Sequence, residues 1–224
     1  MRHRRATRHF ADTGLDDHTL TTLLEAARWA PSGYNLQPIH FIVVREAEQK
    51  GQLGWACINQ RQVTEAPATV VFAGDKRVMH NNLETVIEQE RAAGAIDERY
   101  EGFLRKFVPL AFKTGPLGLN WLWKATLPPV LRRFTAMPSL PAVHRRYWLA
   151  KQAGLAAMNF MLAAHASGLA TCPIEGFDEK RLQKVLDMPR SVLPIIVVPV
   201  GHAADEPGSK TRLPADQQVH WERW

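Results

Sequence analysis

Cysteine is almost absent from this chain: Cys57 and Cys172 are the only two among 224 residues. Two are too few for a disulfide framework and have no metal-ligand spacing. Each reads as a small buried hydrophobe, and a reducing, cytoplasmic setting is expected. The nine histidines are dispersed from His3 to His220. They lack ligand spacing, so no metal is expected, and no nucleophile stands beside an evident base. The basic start, Met1-Arg2-His3-Arg4-Arg5, is followed by no apolar run, which argues against a secretory signal. The longest uncharged stretch, 152–174, has the length of a bilayer span, but Gln152, Asn159, His165, Ser167 and Thr171 dilute it. A helix buried in a core or at a subunit interface is the better expectation. Acidic residues are missing between Gly102 and Ile174, a stretch holding nine Lys and Arg against a net charge of +6 for the whole chain. The basicity is therefore local, and no nucleic-acid-binding motif accompanies it, so nucleic acid is not an expected partner.

What is present is a mixture of helix-like and strand-like segments. Residues 16–30 have Asp16 and Asp17 at the start, Leu20, Leu23, Leu24 and Ala27 at helical spacing, and Pro31 as a stop. The run 39–45 predicts a strand covered on both faces, as does Ala68–Ala73. Helices are expected over 45–57, 82–94, with Glu84, Glu88 and Arg91 exposed, 143–167 and 178–186. Short strands are expected over 169–174 and 192–200; Pro194 and Pro199 mark the latter as an edge or a bulge. Prolines at 109, 116, 128, 129, 138 and 141 forbid one long helix over 109–142. The fold class is α+β, one domain over 1–224 with an atypical insertion at about 97–148 and an extended polar arm at about 203–224.

Four polar stretches stand apart from this scaffold. Arg4-Arg5-Ala6-Thr7-Arg8 concentrates arginine, the side chain suited to planar, multidentate recognition of phosphate and polar ring edges. Pro31-Ser32-Gly33-Tyr34-Asn35-Leu36-Gln37-Pro38 carries more hydrogen-bonding side chains than a helix-to-strand turn requires. Pro173-Ile174-Glu175-Gly176-Phe177 offers a glycine where a flat ligand can approach backbone N–H groups. Lys210 and Arg212, two apart on an extended chain, share a face and suit a phosphate clamp.

In combination, RRxxRxF at 4–10, PSGxNxQP at 31–38, PIEGF at 173–177, PVG at 199–201 and KxRLP at 210–214 resemble the FMN-dependent nitroreductase family. Asn59-Gln60-Arg61-Gln62 falls where that family has an Asn and a Lys against the flavin. The resemblance implies a nitroreductase-like fold, a central, mostly antiparallel sheet flanked by helices, in an intertwined homodimer with FMN at the interface. It implies that Arg4, Arg5, Ala6 and Arg8 bind phosphate, ribityl and pyrimidine groups, and that Lys210 and Arg212 complete the phosphate site. Pro173, Ile174, Glu175 and Gly176 would lie over the isoalloxazine, with a backbone N–H directed at flavin N5; Asn59 and Gln62 would face the ring. Pro31, Ser32, Gly33, Asn35 and Gln37 would come from the other subunit. The implied activity is a ping-pong transfer from NADH or NADPH, through FMN, to nitroaromatic, quinone or similar acceptors. Gln62 departs from the family's Lys, which implies a lower flavin potential.

The insertion combines Phe103, Phe107, Phe112, Trp121, Trp123 and Phe134 with positive charge. It reads first as a lid that attracts an anionic nicotinamide cofactor. The alternatives are a peripheral membrane contact through 102–148 that delivers a lipophilic quinone, or a flavin-storage or redox-sensing protein with little turnover.

Overall fold

The computed structural model describes residues 3–113, 119–136, 138–206 and 208–224. Eight α-helices and four strands run in the order α1 (Asp17–Arg28), β1 (Ile39–Val44), α2 (Ala47–Ala56), α3 (Arg61–Glu65), β2 (Ala68–Asp75), α4 (Val78–Ala92), α5 (Glu98–Phe112), α6 (Leu119–Leu131), α7 (Arg145–Ala166), β3 (Ala170–Thr171), α8 (Glu179–Val185) and β4 (Val192–Gly201) among the described residues. The strands form one antiparallel sheet in the order β1-β2-β4-β3, as the α+β expectation requires.

β2 is buried at every residue because both its faces are covered. Ala68, Val70 and Phe72 pack with Val198, Val200 and Phe160 beneath α1 and α7. Val71 and Val197 point the other way, toward Leu53, Val63 and Leu182 of α2, α3 and α8. Phe72 meets both Phe41 and Phe160 edge-on. A third cluster joins α4, α5 and the start of α7 through Leu83, Ile87, Leu104, Val108, Phe112 and Trp148.

Two helices start where the sequence signals them, Asp16 and Asp178 each accepting an N–H from the first turn of α1 and α8; Asp97, which the sequence reading did not single out, caps α5 in the same way. Glu84, Glu88 and Arg91 are exposed as expected, on a helix that begins four residues earlier than the sequence indicates. Among the described residues no helix is long and apolar enough to cross a membrane. The 152–174 run is mostly α7, whose Ala153, Ala156, Ala157 and Phe160 are buried while Leu155 and Met158 stay exposed.

One expectation needs correcting. β1 is the sheet edge: Phe41 and Val43 pack toward one helical layer and Ile42 toward the other, but only Val44 is fully buried. Of the edge or bulge that its two prolines mark in β4, the structure has the bulge, in an interior strand. Pro194 sits at a bulge, where the register shifts opposite Phe72 and Ala73. Pro199 lies beside the two-residue β3, and its carbonyl still accepts the Cys172 N–H at 3.2 Å. The prolines of the insertion do exclude one long helix over 109–142 among the described residues. Pro109 lies in the last turn of α5 and Pro128 and Pro129 in that of α6, so they stand at the ends of two separate helices; Pro116 lies outside the described residues.

The PVG glycine has a packing reason. A Cβ on Gly201 would overlap Pro67 Cδ and come within 2.7 Å of Pro67 Cγ and 3.2 Å of Phe10 Cδ1. Gly201→Ala is expected to cost roughly 1–3 kcal/mol through overpacking, read as a lower urea midpoint with an unchanged slope.

Candidate functional site

The N-terminal stretch is held against the β3 edge. Ala6 bridges Thr171 in parallel, Thr7 N–H donates to the Thr171 carbonyl at 3.0 Å, and Phe10 pairs with Ala203. This pairing carries the start of the C-terminal arm alongside the first residues. Lys210 Nζ accordingly donates to the Arg4 carbonyl at 3.0 Å, and Arg4 Nη1 donates to the Arg5 carbonyl at 3.3 Å. Partial desolvation, then repulsion from Arg212, Arg4 and Arg5, holds the Lys210 ammonium below its usual range. Four cations thus converge from opposite ends of the sequence. Among the described residues none of the four is paired with a carboxylate. Arg8 adjoins the same place: burial pushes the Cys172 thiol up, and Arg8 and Arg4 oppose that shift.

Pro173–Gly176 leaves β3 from this corner. Ile174 is buried and bridges Val197, whereas Glu175 and Gly176 face outward. Gln60 Nε2 donates to the Gly176 carbonyl at 2.8 Å, and Gln62 Nε2 donates to Gln60 Oε1 at 3.0 Å. The 59–62 turn is therefore tied to the glycine by a relay of two glutamines. Gln60 is the member that sequence reasoning did not single out; its place between two flagged positions was the available signal. A Cβ on Gly176 would meet only Gln60 Nε2 at 3.6 Å, so packing within the chain does not demand glycine there. Ile58 and Asn59 hold positive φ of 59° and 53°. For a β-branched residue this is a strained conformation that only its surroundings maintain.

The 31–38 loop is built differently. Tyr34, Asn35 and Gln37 all have positive φ, and the loop's own polar groups hold the shape. Ser32 Oγ accepts the Gln37 N–H at 2.9 Å, Gly33 N–H donates to Gln152 Oε1 at 2.9 Å, and Asn35 Nδ2 donates to Glu90 Oε1 at 2.9 Å. Gly33 lies so close to the Trp148 indole that a Cβ would stand 3.1 Å from its Nε1. Gln152, read from sequence only as a polar dilution of α7, is buried and is the loop's anchor. Pro31, Ser32 and Gln37 border a cavity of about 300 Å³ against β1.

The register separates these groups. Ile39, which follows the loop, is level with Gly74 and Leu193; Thr171, beside Ala6, is level with Val200 and Ala68. The 31–38 loop and the arginine corner therefore start from diagonal corners of the sheet. At roughly 3.3 Å per residue and 4.8 Å per strand they lie about 20 Å apart along the strands and about 14 Å across them. The structure brings 4–8, 173–176, 59–62 and 210–212 together in one chain and leaves 31–37 apart.

The insertion also differs from its sequence reading. Phe112 is buried edge-on against Trp148, Lys124 is buried, and Arg105 and Arg146 pair with Glu84, Glu101 and Glu179 from outside the acid-free segment. Its positive charge is thus partly answered by neighbours that linear inspection does not reveal.

The Nitroreductase family profile matches residues 1–202. An oxygen-insensitive NAD(P)H nitroreductase of Salmonella typhimurium is 32% identical over 208 residues, covering 88% of this chain and 84% of that protein. Among solved structures, a nitroreductase-like protein from Streptococcus mutans aligns with a TM-score of 0.77 at 24% identity, covering 99% of this chain and 96% of its own. A structure from Exiguobacterium sibiricum in complex with FMN aligns at 0.72 and 23% identity, covering 98% and 93%. The fold is nitroreductase-like, and the chain belongs to the nitroreductase family.

Proposed function

We propose that this chain is an FMN-dependent oxidoreductase that works as a homodimer and uses NADH or NADPH to reduce small electron-poor acceptors such as nitroaromatics and quinones. The observation that carries the reading is the meeting of Arg4, Arg5, Lys210 and Arg212 with no carboxylate partner among the described residues. Such a cluster lacks an anion, and a phosphate supplies one. Arg8 and Gln62 would face the pyrimidine edge. Gly176, whose carbonyl Gln60 holds and which is otherwise uncrowded, leaves its N–H open to a flat ring. FMN, when bound, supplies the redox chemistry, taking hydride from the nicotinamide and passing two electrons to the acceptor. The chain's part is to bind, orient and tune it. The diagonal placement of Pro31, Ser32, Gly33, Asn35 and Gln37 fits a loop that completes the site of a second copy. The exposed Tyr147, Leu155 and Met158 on α7 offer that copy an apolar surface.

Purified protein is expected to be yellow and to release about one FMN per chain on heating. Lys210→Gln/Arg212→Gln is expected to weaken FMN binding about 10- to 100-fold, since charge-assisted bonds contribute roughly 1.5–3 kcal/mol each. A colourless protein that also refuses added FMN would overturn the reading. Stopped acceptor reduction in a flavin-replete protein would leave the storage alternative standing.

With a neutral Gln62 near the pyrimidine, Arg8 alone supplies positive charge there. Gln62→Lys is expected to raise the bound flavin's midpoint potential by on the order of 30 mV, equal to about 1.4 kcal/mol for a two-electron couple. Potentiometry with no rise counts against the placement of Gln62.

One observation favours a second reading, the contact with a membrane surface. Tyr100, Phe103 and Phe107 stack in an exposed row on α5, with centroids 5.8 and 4.9 Å apart, and Trp121, Leu122, Trp123, Leu127 and Val130 are exposed on α6. Aromatic side chains beside Lys106 and Lys113 have the make-up of an interfacial segment. Flotation with phosphatidylserine vesicles at low salt is expected to carry the protein upward; protein left at the bottom removes this reading.

A further inference from the structure

Two buried charged residues and one partly buried arginine lie outside the proposed flavin site, and all belong to one place at the far end of β2. Asp75 and Lys124 are each only 3% exposed, and Arg145 has a buried Nε. Both oxygens of Asp75 are engaged, one by the Arg77 N–H at 2.7 Å and the other by Asn81 Nδ2 at 2.6 Å. Lys124 Nζ donates to the carbonyls of Leu110 and Lys113, and Arg145 Nη2 to that of Phe112. Two cations thus satisfy the orphan carbonyls that end α5, a favourable place for positive charge.

That role does not use up the charge. Among the described residues Arg145 Nε has no hydrogen-bond partner, and a buried N–H left unpaired costs about 1–3 kcal/mol. Burial also holds the Arg145 guanidinium and the Lys124 ammonium below their usual ranges. Arg145 borders a cavity of about 620 Å³ lined with Lys76, Arg77, His80, Asn81 and Lys113. α4 begins at the same cavity with Arg77 as its N-cap, and no side chain caps its first turn. The start of α4, the Arg145 guanidinium and three further cations therefore border one space. The Asp75 carboxylate acts on Arg145 and partly offsets its burial, but both Asp75 oxygens already accept hydrogen bonds within the chain.

We propose that this cavity is a second anion site, separate from the flavin phosphate corner, that takes the phosphate group of a soluble metabolite between the start of α4, Arg77 and Arg145. The two phosphate sites lie at opposite ends of β2: Lys76 follows its last residue, whereas Ala6 stands level with its first. Such a phosphate comes either from a free metabolite or from the 2′-phosphate of NADPH.

The test uses FMN-saturated protein, so that the first site is filled, and titrates inorganic pyrophosphate by calorimetry. The variant is Lys76→Gln/Lys113→Gln, because neither side chain holds a hydrogen bond in the fold among the described residues. Binding is expected to weaken at least ten-fold in this variant and to stay unchanged in Lys180→Gln/Lys184→Gln, which removes equal charge from α8. Steady-state assays separate the sources. A KM that rises for NADPH but not for NADH identifies the cofactor phosphate; lost pyrophosphate binding with both KM values unchanged identifies a free metabolite. The KM arm rests on the proposed flavin activity and the calorimetric arm does not. Absence of pyrophosphate binding together with unchanged KM values, or an equal loss in the α8 variant, overturns the proposal.

Discussion

The burial of β2 on both faces is the constraint on which the rest depends. A strand covered above and below has one register consistent with its side chains, because a slip of one residue would exchange Val70 and Phe72 for Val71. With β2 fixed, β4 and β1 follow on either side of it, and β4 in turn carries β3. The N-terminal arginines attach to β3 and the 31–38 loop enters β1, so their separation is a consequence of strand order. A cofactor that touched both groups, as proposed above, would be met by two copies of the chain.

Strain is distributed in a way that agrees with this division. Positive φ at non-glycine residues clusters at 34–37 and at 58–59, within the two turns that flank the proposed site. Each such residue costs of order 1–3 kcal/mol unless its surroundings impose it. Here they do: Gln152, Glu90 and Ser32 hold the first turn, and the Asn59 N–H donates to the Gly54 carbonyl at 2.8 Å in the second. The polar residues of these turns therefore have two tasks. Some are proposed to meet the ligand, and others hold the backbone that presents them.

That double use explains what the sequence made legible. The arginine and lysine stretches were readable because charge concentrated without opposite charge is visible in a linear string, and their convergence followed from β pairing at Ala6 and Phe10. Helix starts were readable from Asp16 and Asp178. Gln60 and Gln152 were not, since an amide's role depends on which carbonyl or N–H stands within 3 Å of it. The prolines marked breaks without saying which elements could still hold them. In the last turn of a helix a proline forfeits only one donor, and at the β4 bulge or beside a two-residue strand it forfeits none that the sheet needs. The edge position of β1 was hidden by its apolar run, which signals cover without saying whether the same chain provides it.

The basic insertion joins these arguments to the two anion sites. Read along the chain, its cations are uninterrupted; in the fold they divide by partner. Arg105 and Arg146 meet carboxylates, Arg132 meets Ser139, Lys151 lies over Tyr147, Lys124 and Arg145 meet the carbonyl end of α5, and Lys113 lines the cavity at the start of α4. The arginine corner at the other end of β2 has no carboxylate partner among the described residues. A protein stabilises excess buried or clustered charge by pairing it, and where pairing is missing within the chain the partner comes from outside. On the two proposals above, the cation clusters at opposite ends of one central strand would take two external anions, the FMN phosphate at one end and a metabolite phosphate at the other.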